Sequence, residues 1–223
     1  MTLNPVLTIG TQMKETVLAH MDVTDQEAEE ICLDKLRKVY IPSPEKRLKQ
    51  YPHEFSGGMR QRIVIAISLL TSPKLIIADE PTTALDVTIQ AEIMDLLLEL
   101  CETENMGLIL ITHDLAVVSE VTQRIAVLYA GRVVELGSAD QIISNPQHPY
   151  TQGLIAALPQ MAGGANRLNQ IPGMMPSLLN MPKGCPFEPR CTERMEKCIT
   201  ETPILSEVEN GTQVACFARE GGK

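Results

Sequence analysis

The sequence predicts an α/β layered fold with parallel strands at its centre. Three observations carry this. Two short apolar runs, "KLIIADE" (74–80) and "GLILITHD" (107–114), each close on polar groups. A long stretch with helical periodicity separates them, and strands alternating with helices build a layered sheet with crossover connections. The chain has 223 residues, of which 44% are hydrophobic and 21% charged, enough for one large domain or one domain with an appendage.

The elements follow in order. Residues 8–21 and 24–39 read as amphipathic helices. The second opens on "TDQEAEE", with Thr24 as N-cap and Glu27 three residues on, a capping box. Pro42, Pro44 and Pro52 break the next section into loop and turn. An apolar helix over 58–71 ends at Ser72-Pro73, and a buried strand over 74–80 follows. Residues 87–104 form a helix with Ile89, Ile93, Leu96, Leu97 and Leu100 along one face. A second buried strand covers 107–114, and a helix spans about 115–121. Residues 124–137 form two strands joined by an Ala130-Gly131 turn. Near Pro159 the composition shifts to Gly, Pro and Met and the helical periodicity is lost, which marks the start of a C-terminal extension.

Composition excludes several roles. The formal net charge is −9, only 3% of residues are aromatic and there is no Trp, a poor match for nucleic acid. No apolar run approaches the length of a membrane-spanning helix, and the N-terminus lacks the layout of a secretory signal. A cytoplasmic protein is expected, touching a membrane only through a partner.

Six cysteines are unevenly placed. Cys32 and Cys101 sit alone in helical patterns, as buried small hydrophobes do. Cys185, Cys191, Cys198 and Cys216 crowd the tail, with five, six and seventeen residues between successive members. In a cytosolic protein such a group suggests metal or redox chemistry before a disulfide framework. Structural zinc sites bring cysteines in close pairs, two to four residues apart, which disfavours zinc. Four thiolates from a loop-rich segment suit a four-iron, four-sulfur cluster. Reduced structural thiols, or a disulfide such as Cys185–Cys191, remain the alternative.

The chemistry-bearing motifs lie between residues 55 and 114. "FSGGMRQR" (55–62) places Ser56, Gly57 and Gly58 before an apolar helix. It is either a serine N-cap with a flexible lead-in or an anion site, where unpaired N–H groups and the helix dipole meet an oxyanion that glycines allow to come close. The two glycines are expected to pack against nothing. "LIIADEP" (75–81) brings Asp79 and Glu80 out at the carboxyl end of a strand, where α/β proteins hold ligands. There Asp79 can hold Mg²⁺ and Glu80 can polarise a water, unless the two acids only cap the strand. "TTALD" (82–86) adds a polar turn with Asp86. His113 ends the neighbouring strand, as a partly buried hydrogen-bonded residue or as a group reaching the same ligand.

Taken in that order, these motifs resemble those of ABC-transporter ATPases. "FSGGMRQR" resembles the signature, "LIIADE" the Walker B strand with its catalytic glutamate, "TALD" the D-loop, and His113 the switch histidine. With "LNPVLTIG" (3–10), "YPHEFSGGMRQR" (51–62), "HPYTQGL" (148–154) and "GCPFEPRC" (184–191), the chain is similar along its length to the ATPase subunits of oligopeptide, dipeptide and nickel permeases. The resemblance implies a partial P-loop NTPase fold. Residues 1–55 would be the remainder of a helical subdomain, 56–140 the C-terminal half of a RecA-like core, and 141–223 a permease-type extension with a four-Cys site.

It also implies roles. ATP and Mg²⁺ are the expected ligands, with Asp79 on the metal, Glu80 as base or water-orienting group and His113 on the γ-phosphate. Ser56, Gly57, Gly58 and Met59 would serve ATP bound on a partner ATPase paired head to tail, and Asp86 would couple the two halves. Met59 stands where many ABC proteins carry Gln. The similar subunits carry the four-cysteine pattern, and some hold an iron–sulfur cluster. Expected partners are a second ATPase subunit, two transmembrane permeases and, indirectly, a substrate-binding protein, at the cytoplasmic face of the membrane. A chromosome-structure or DNA-repair ATPase would share the signature but needs long heptad coiled coils, and none is present.

A phosphate-binding loop, G-x-x-x-x-G-K-[ST], is missing. Gly-Lys occurs only at Gly222-Lys223, with Phe217 at the first glycine position. The Gln-containing loop that precedes "LNP" in the family is missing as well. The chain is therefore expected to be a fragment whose core exposes sheet edges and apolar faces. Without that loop this chain alone is expected not to hydrolyse ATP, and its role is either the C-terminal portion of a hydrolysing subunit or a module that offers only its signature face to a complete partner.

Overall fold

A computed structural model describes residues 3–158, 170–177, 179–208 and 211–220. The composition shift at Pro159 and the Gly222-Lys223 dipeptide lie outside them. The chain divides into two compact units, Met1–His113 and Asp114–Lys223.

The first unit opens with α1 (Ile9–His20) and α2 (Asp25–Lys38). Thr8 caps α1, and Thr24 caps α2 through the full reciprocal box with Glu27. Gly10 lets α1 approach the backbone of Leu48, since a Cβ there would stand 2.8 Å from the Leu48 carbonyl oxygen. A short turn of helix, α3 (Pro44–Arg47), leads to α4 (Gly57–Ser68). Ile9, Met13, Val17, Leu36, Ile63 and Leu70 are buried. Then come β1 (Leu75–Asp79), α5 (Val87–Thr103) and β2 (Gly107–Ile111). The two strands pair in parallel with Leu75 opposite Gly107 and Asp79 opposite Ile111. Polar contacts tie the α2 end to α5: Lys38 pairs with Glu104, and the Tyr40 hydroxyl donates to Glu99 at 2.5 Å.

Both strands differ from the buried runs expected. Along β1, Ile76 and Ala78 are buried while Leu75 and Ile77 are exposed, Ile77 at 62%. Ile109 and Ile111 of β2 are exposed too. Strand side chains alternate between faces, and only one face of this two-stranded sheet is covered. The expected exposure of an apolar sheet face is thus seen. Cys32 is buried as expected, whereas Cys101 is only half-buried near the end of α5.

The second unit contains α6 (Leu115–Val121), β3 (Arg124–Tyr129), β4 (Arg132–Ser138), α7 (Ala139–Ser144) and α8 (Pro149–Ala156). After them come α9 (Lys197–Thr200), β5 (Ser206–Glu207) and β6 (Gln213–Val214). Gly131, at φ 76°, makes the β3–β4 turn. The sheet is antiparallel in the order β3-β4-β6-β5. The tail therefore adds its own strands to the β3–β4 hairpin, and the compact division falls at His113, inside the 56–140 segment. Ile125, Val127, Tyr129, Val134, Ile142 and Phe187 form the core of this unit.

Candidate functional site

The site is built where β1 and β2 end. Glu80 follows β1 with φ at 47°, a left-handed conformation that costs a non-glycine residue energy. Its N–H donates to the Ile111 carbonyl at 2.8 Å, so the parallel ladder is continued one step and then turned. The Glu80 carboxylate thereby meets the residue just beyond β2. Glu80 Oε1 lies 2.8 Å from His113 Nδ1 and accepts the His113 N–H at 3.2 Å. Oε2 accepts the Thr83 hydroxyl at 3.1 Å. Hydrogen bonding from His113, opposed by slight desolvation and aided by Thr83, holds the Glu80 carboxyl below its ordinary pKa. The His113 side chain is 85% exposed, so of the two readings for a strand-end histidine the partly buried one does not apply. Asp79 ends β1 with an exposed side chain.

The segment from 80 to 86 is a set of turns. Thr83 N–H donates to the Glu80 carbonyl, Leu85 N–H donates to that of Thr82, and Ala84 has φ 63°. Gln90, on the first turn of α5, clamps the segment by donating its side-chain amide to the carbonyls of Thr82 (3.2 Å) and Leu85 (3.0 Å). Sequence alone gave no signal for Gln90, because a glutamine on an exposed helical turn is ordinary. Asp86 sits at the N-cap position of α5 but makes no capping bond with its side chain, which is exposed.

Ser56 caps α4. Its Oγ accepts the Met59 N–H at 3.3 Å. The capping reading therefore holds, and it coexists with an open helix N-terminus, since helix geometry leaves the Gly57 and Gly58 N–H groups without intrahelical acceptors. The glycines do pack, contrary to expectation. A Cβ at Gly57 would lie 3.2 Å from Leu85 Cδ2, and one at Gly58 would lie 2.8 Å from Ile89 Cγ2. The first turn of α4 thus rests on the residues flanking Asp86. Arg62, one turn further along, donates to the Val39 carbonyl at 3.3 Å and to Glu92 at 3.1 Å, fixing α4 to its neighbours.

The four tail cysteines lie in the second unit. Cys185 N–H donates to the Cys198 carbonyl at 2.8 Å, and the Cys198 thiol accepts the Met195 N–H at 3.4 Å. Gly184 is required here, for a Cβ would stand 2.1 Å from the Cys198 carbonyl oxygen. Burial pushes the thiols of Cys185, Cys216 and Cys191 up, the last to about 11, and charge on neighbouring thiols of the group adds to each shift. Among the described residues, however, no three His, Cys, Asp or Glu side chains are arranged to hold a metal ion. Among the described residues these cysteines thus form no ligand cage.

The "HPYTQGL" motif is structural. His148 caps α8 by accepting the Tyr150 N–H on Nδ1 at 3.0 Å. Buried Glu135 of β4 accepts the N–H groups of Gln147 at 2.6 Å and His148 at 3.0 Å. No helix among the described residues is long and apolar enough to cross a membrane.

Comparison with known proteins places the chain in a family. The family described as "ABC transporter" matches residues 2–83, and "Oligopeptide/dipeptide transporter, C-terminal region" matches 134–198. The chain is 48% identical over 218 residues to the oligopeptide transport ATP-binding protein AppD of Bacillus subtilis (strain 168), covering 98% of this chain and 66% of that protein. It is 49% identical over 214 residues to the dipeptide transport ATP-binding protein DppD of Escherichia coli (strain K12), covering 96% and 65%. The chain thus spans about two thirds of the length of these relatives. Among solved structures it resembles the ATP-binding cassette MJ0796, a dimer in a post-hydrolysis state bound to ADP and Pi. The TM-score is 0.54 and the identity 29%, over 61% of this chain and 59% of that one. The chain belongs to the ABC-transporter ATP-binding family of ATPases, and its second unit carries the oligopeptide/dipeptide transporter C-terminal region.

Proposed function

We propose that this chain is the C-terminal portion of an ATP-hydrolysing subunit that energises import of peptides or a related small solute. The observation that carries this is the Glu80–His113 pair, held at the carboxyl ends of two parallel strands beside Asp79. Hydrolysis needs a carboxylate that orients a water and a donor directed at the γ-phosphate. Held by His113 and Thr83, the Glu80 carboxylate is positioned to orient a water. His113, whose side chain is exposed just beyond the neighbouring strand, would contact the γ-phosphate. The exposed carboxylate of Asp79 suits a hard cation, and Mg²⁺ held there would neutralise phosphate charge. The N–H groups of Gly57 and Gly58, with Ser56 and Met59, would face the γ-phosphate on a second subunit. Asp86, beside the Leu85 and Ile89 that pack on those glycines, would couple the two halves.

In this assignment, 1–55 is the remainder of the helical subdomain, 56–140 the second half of the ATPase core and 141–223 the extension. Partners are a second ATPase subunit, two transmembrane permeases and, through them, a substrate-binding protein, at the cytoplasmic face of the membrane. The names of the relatives and the dimeric state of the similar cassette support this. Cys185, Cys191, Cys198 and Cys216 would hold a four-iron, four-sulfur cluster, with zinc as runner-up. The grouping of four cysteines in one tail segment supports this, although among the described residues no three His, Cys, Asp or Glu side chains are arranged to hold a metal ion. Anaerobic purification should give a brown protein with about four irons per chain. A colourless preparation with one zinc would favour the runner-up.

A second role is that of a module that offers only its signature face, at the N-terminus of α4, to a complete partner. ATP titration separates the two. Binding and Mg²⁺-dependent turnover by the pure chain, lost in Glu80→Gln, would establish hydrolysis by this chain. Binding seen only when a complete partner ATPase is added would establish the module.

A further inference from the structure

The second unit encloses a cavity that ATP hydrolysis does not use. It has a volume of 420 Å³ and lies against β4, residues 185–187 and residues 202–205. Such a volume falls in the range of small-ligand sites, roughly 300–1,000 Å³. Its lining is largely apolar, with Val134, Phe187, Pro203 and Leu205 among the walls. Two nitrogen-bearing side chains interrupt that surface. Arg132, exposed at the start of β4, is one of the lining residues. His148 lines the interior and is only 2% exposed.

The state of His148 follows from its capping bond. Its Nδ1 accepts the Tyr150 N–H, and a backbone N–H can only donate. Nδ1 is therefore the bare nitrogen, and the ring proton resides on Nε2. The ring lines the cavity, so its Nε2–H is the donor it can offer a ligand there.

We propose that this cavity binds a small N-acylated apolar amino acid, the chemistry of a peptide's C-terminal unit. The carboxylate pairs with Arg132. The amide carbonyl accepts the His148 Nε2–H, and the apolar side chain lies against Val134, Phe187 and Leu205. A neutral hydrocarbon would leave the histidine donor unpaired, and a bare inorganic anion would leave the apolar walls wet, so neither matches the lining.

The test is calorimetric titration of the full 223-residue chain with N-acetyl-L-phenylalanine, its methyl ester and sodium acetate. One saturable site is expected for the acid. Esterification or Arg132→Gln should each weaken it about tenfold, the scale of one lost charge-assisted hydrogen bond. Leu205→Trp, which fills the cavity from a partly exposed position, should abolish binding while leaving the circular dichroism spectrum unchanged. Failure of the wild-type chain to saturate by ~1 mM would overturn the proposal. So would acid binding that is indifferent to both Arg132→Gln and Leu205→Trp, or acetate binding as tightly as the acid.

Discussion

Gly58→Ala isolates what the second signature glycine does inside its own chain. The added methyl would stand 2.8 Å from Ile89 Cγ2. Carbon atoms in good contact sit ~3.5–4.0 Å apart, so α4 and the start of α5 must separate by most of an ångström, or Ile89 must leave its rotamer. Overpacking of this kind costs about 1–3 kcal/mol. Alanine recovers up to ~1 kcal/mol through its better helix propensity, less in a first turn. The net expectation is a loss of about 1–2 kcal/mol. Gly57→Ala meets only the flexible tip of Leu85, at 3.2 Å, and should be near neutral. Urea titration of the full chain, followed by far-UV circular dichroism, reads both through the transition midpoint at constant slope. Ile89→Ala removes the clashing methyl and should restore most of the Gly58→Ala loss in a double-mutant cycle. If Gly58→Ala proved as stable as wild type, or if Ile89→Ala gave no rescue, the packing role of Gly58 would be wrong.

Four further outcomes are expected. Glu80 has a depressed pKa in the folded chain, so its contribution to stability is present above the usual glutamate range and is lost as pH falls through the folded value; NMR titration should show this midpoint rising toward normal in His113→Ala. Burial, with Arg219 nearby, lowers His148 to about 4 from 6.5, so the second unit should lose ~3 kcal/mol as pH falls from 6.5 through 4; a pH-independent urea midpoint over that window would contradict it. Gly184→Ala places a Cβ 2.1 Å from the Cys198 carbonyl oxygen and should break the Cys185–Cys198 backbone bond, read as fast amide exchange at Cys185. Ser56→Arg in a complete subunit should leave that subunit's own ATP binding intact but block closure with its partner; collapse of its own affinity with dimerisation preserved would reverse the assignment.

Sequence by itself determined the elements and the ends of the site. Capping chemistry is local, so Thr24 with Glu27 and Ser56 before Met59 announced their helices within four residues. The two apolar strands ending in Asp79-Glu80 and His113 were legible because chain order and crossover geometry constrain where parallel strands finish. Only the tertiary structure decided what each group touches. The Glu80–His113 contact depends on a register that pairs Asp79 with Ile111, thirty-two positions apart. The packing of Gly57 and Gly58 on Leu85 and Ile89, and the Gln90 clamp, depend on how α4 and α5 meet, which no local pattern encodes. Burial of β1 and β2 was over-read, because an apolar run records what a strand can bury and not how many layers cover it. The tail was hardest to read: its two-residue strands and the close pass of Gly184 on Cys198 gain their stability from pairing across long separations, where hydrophobic periodicity carries no signal.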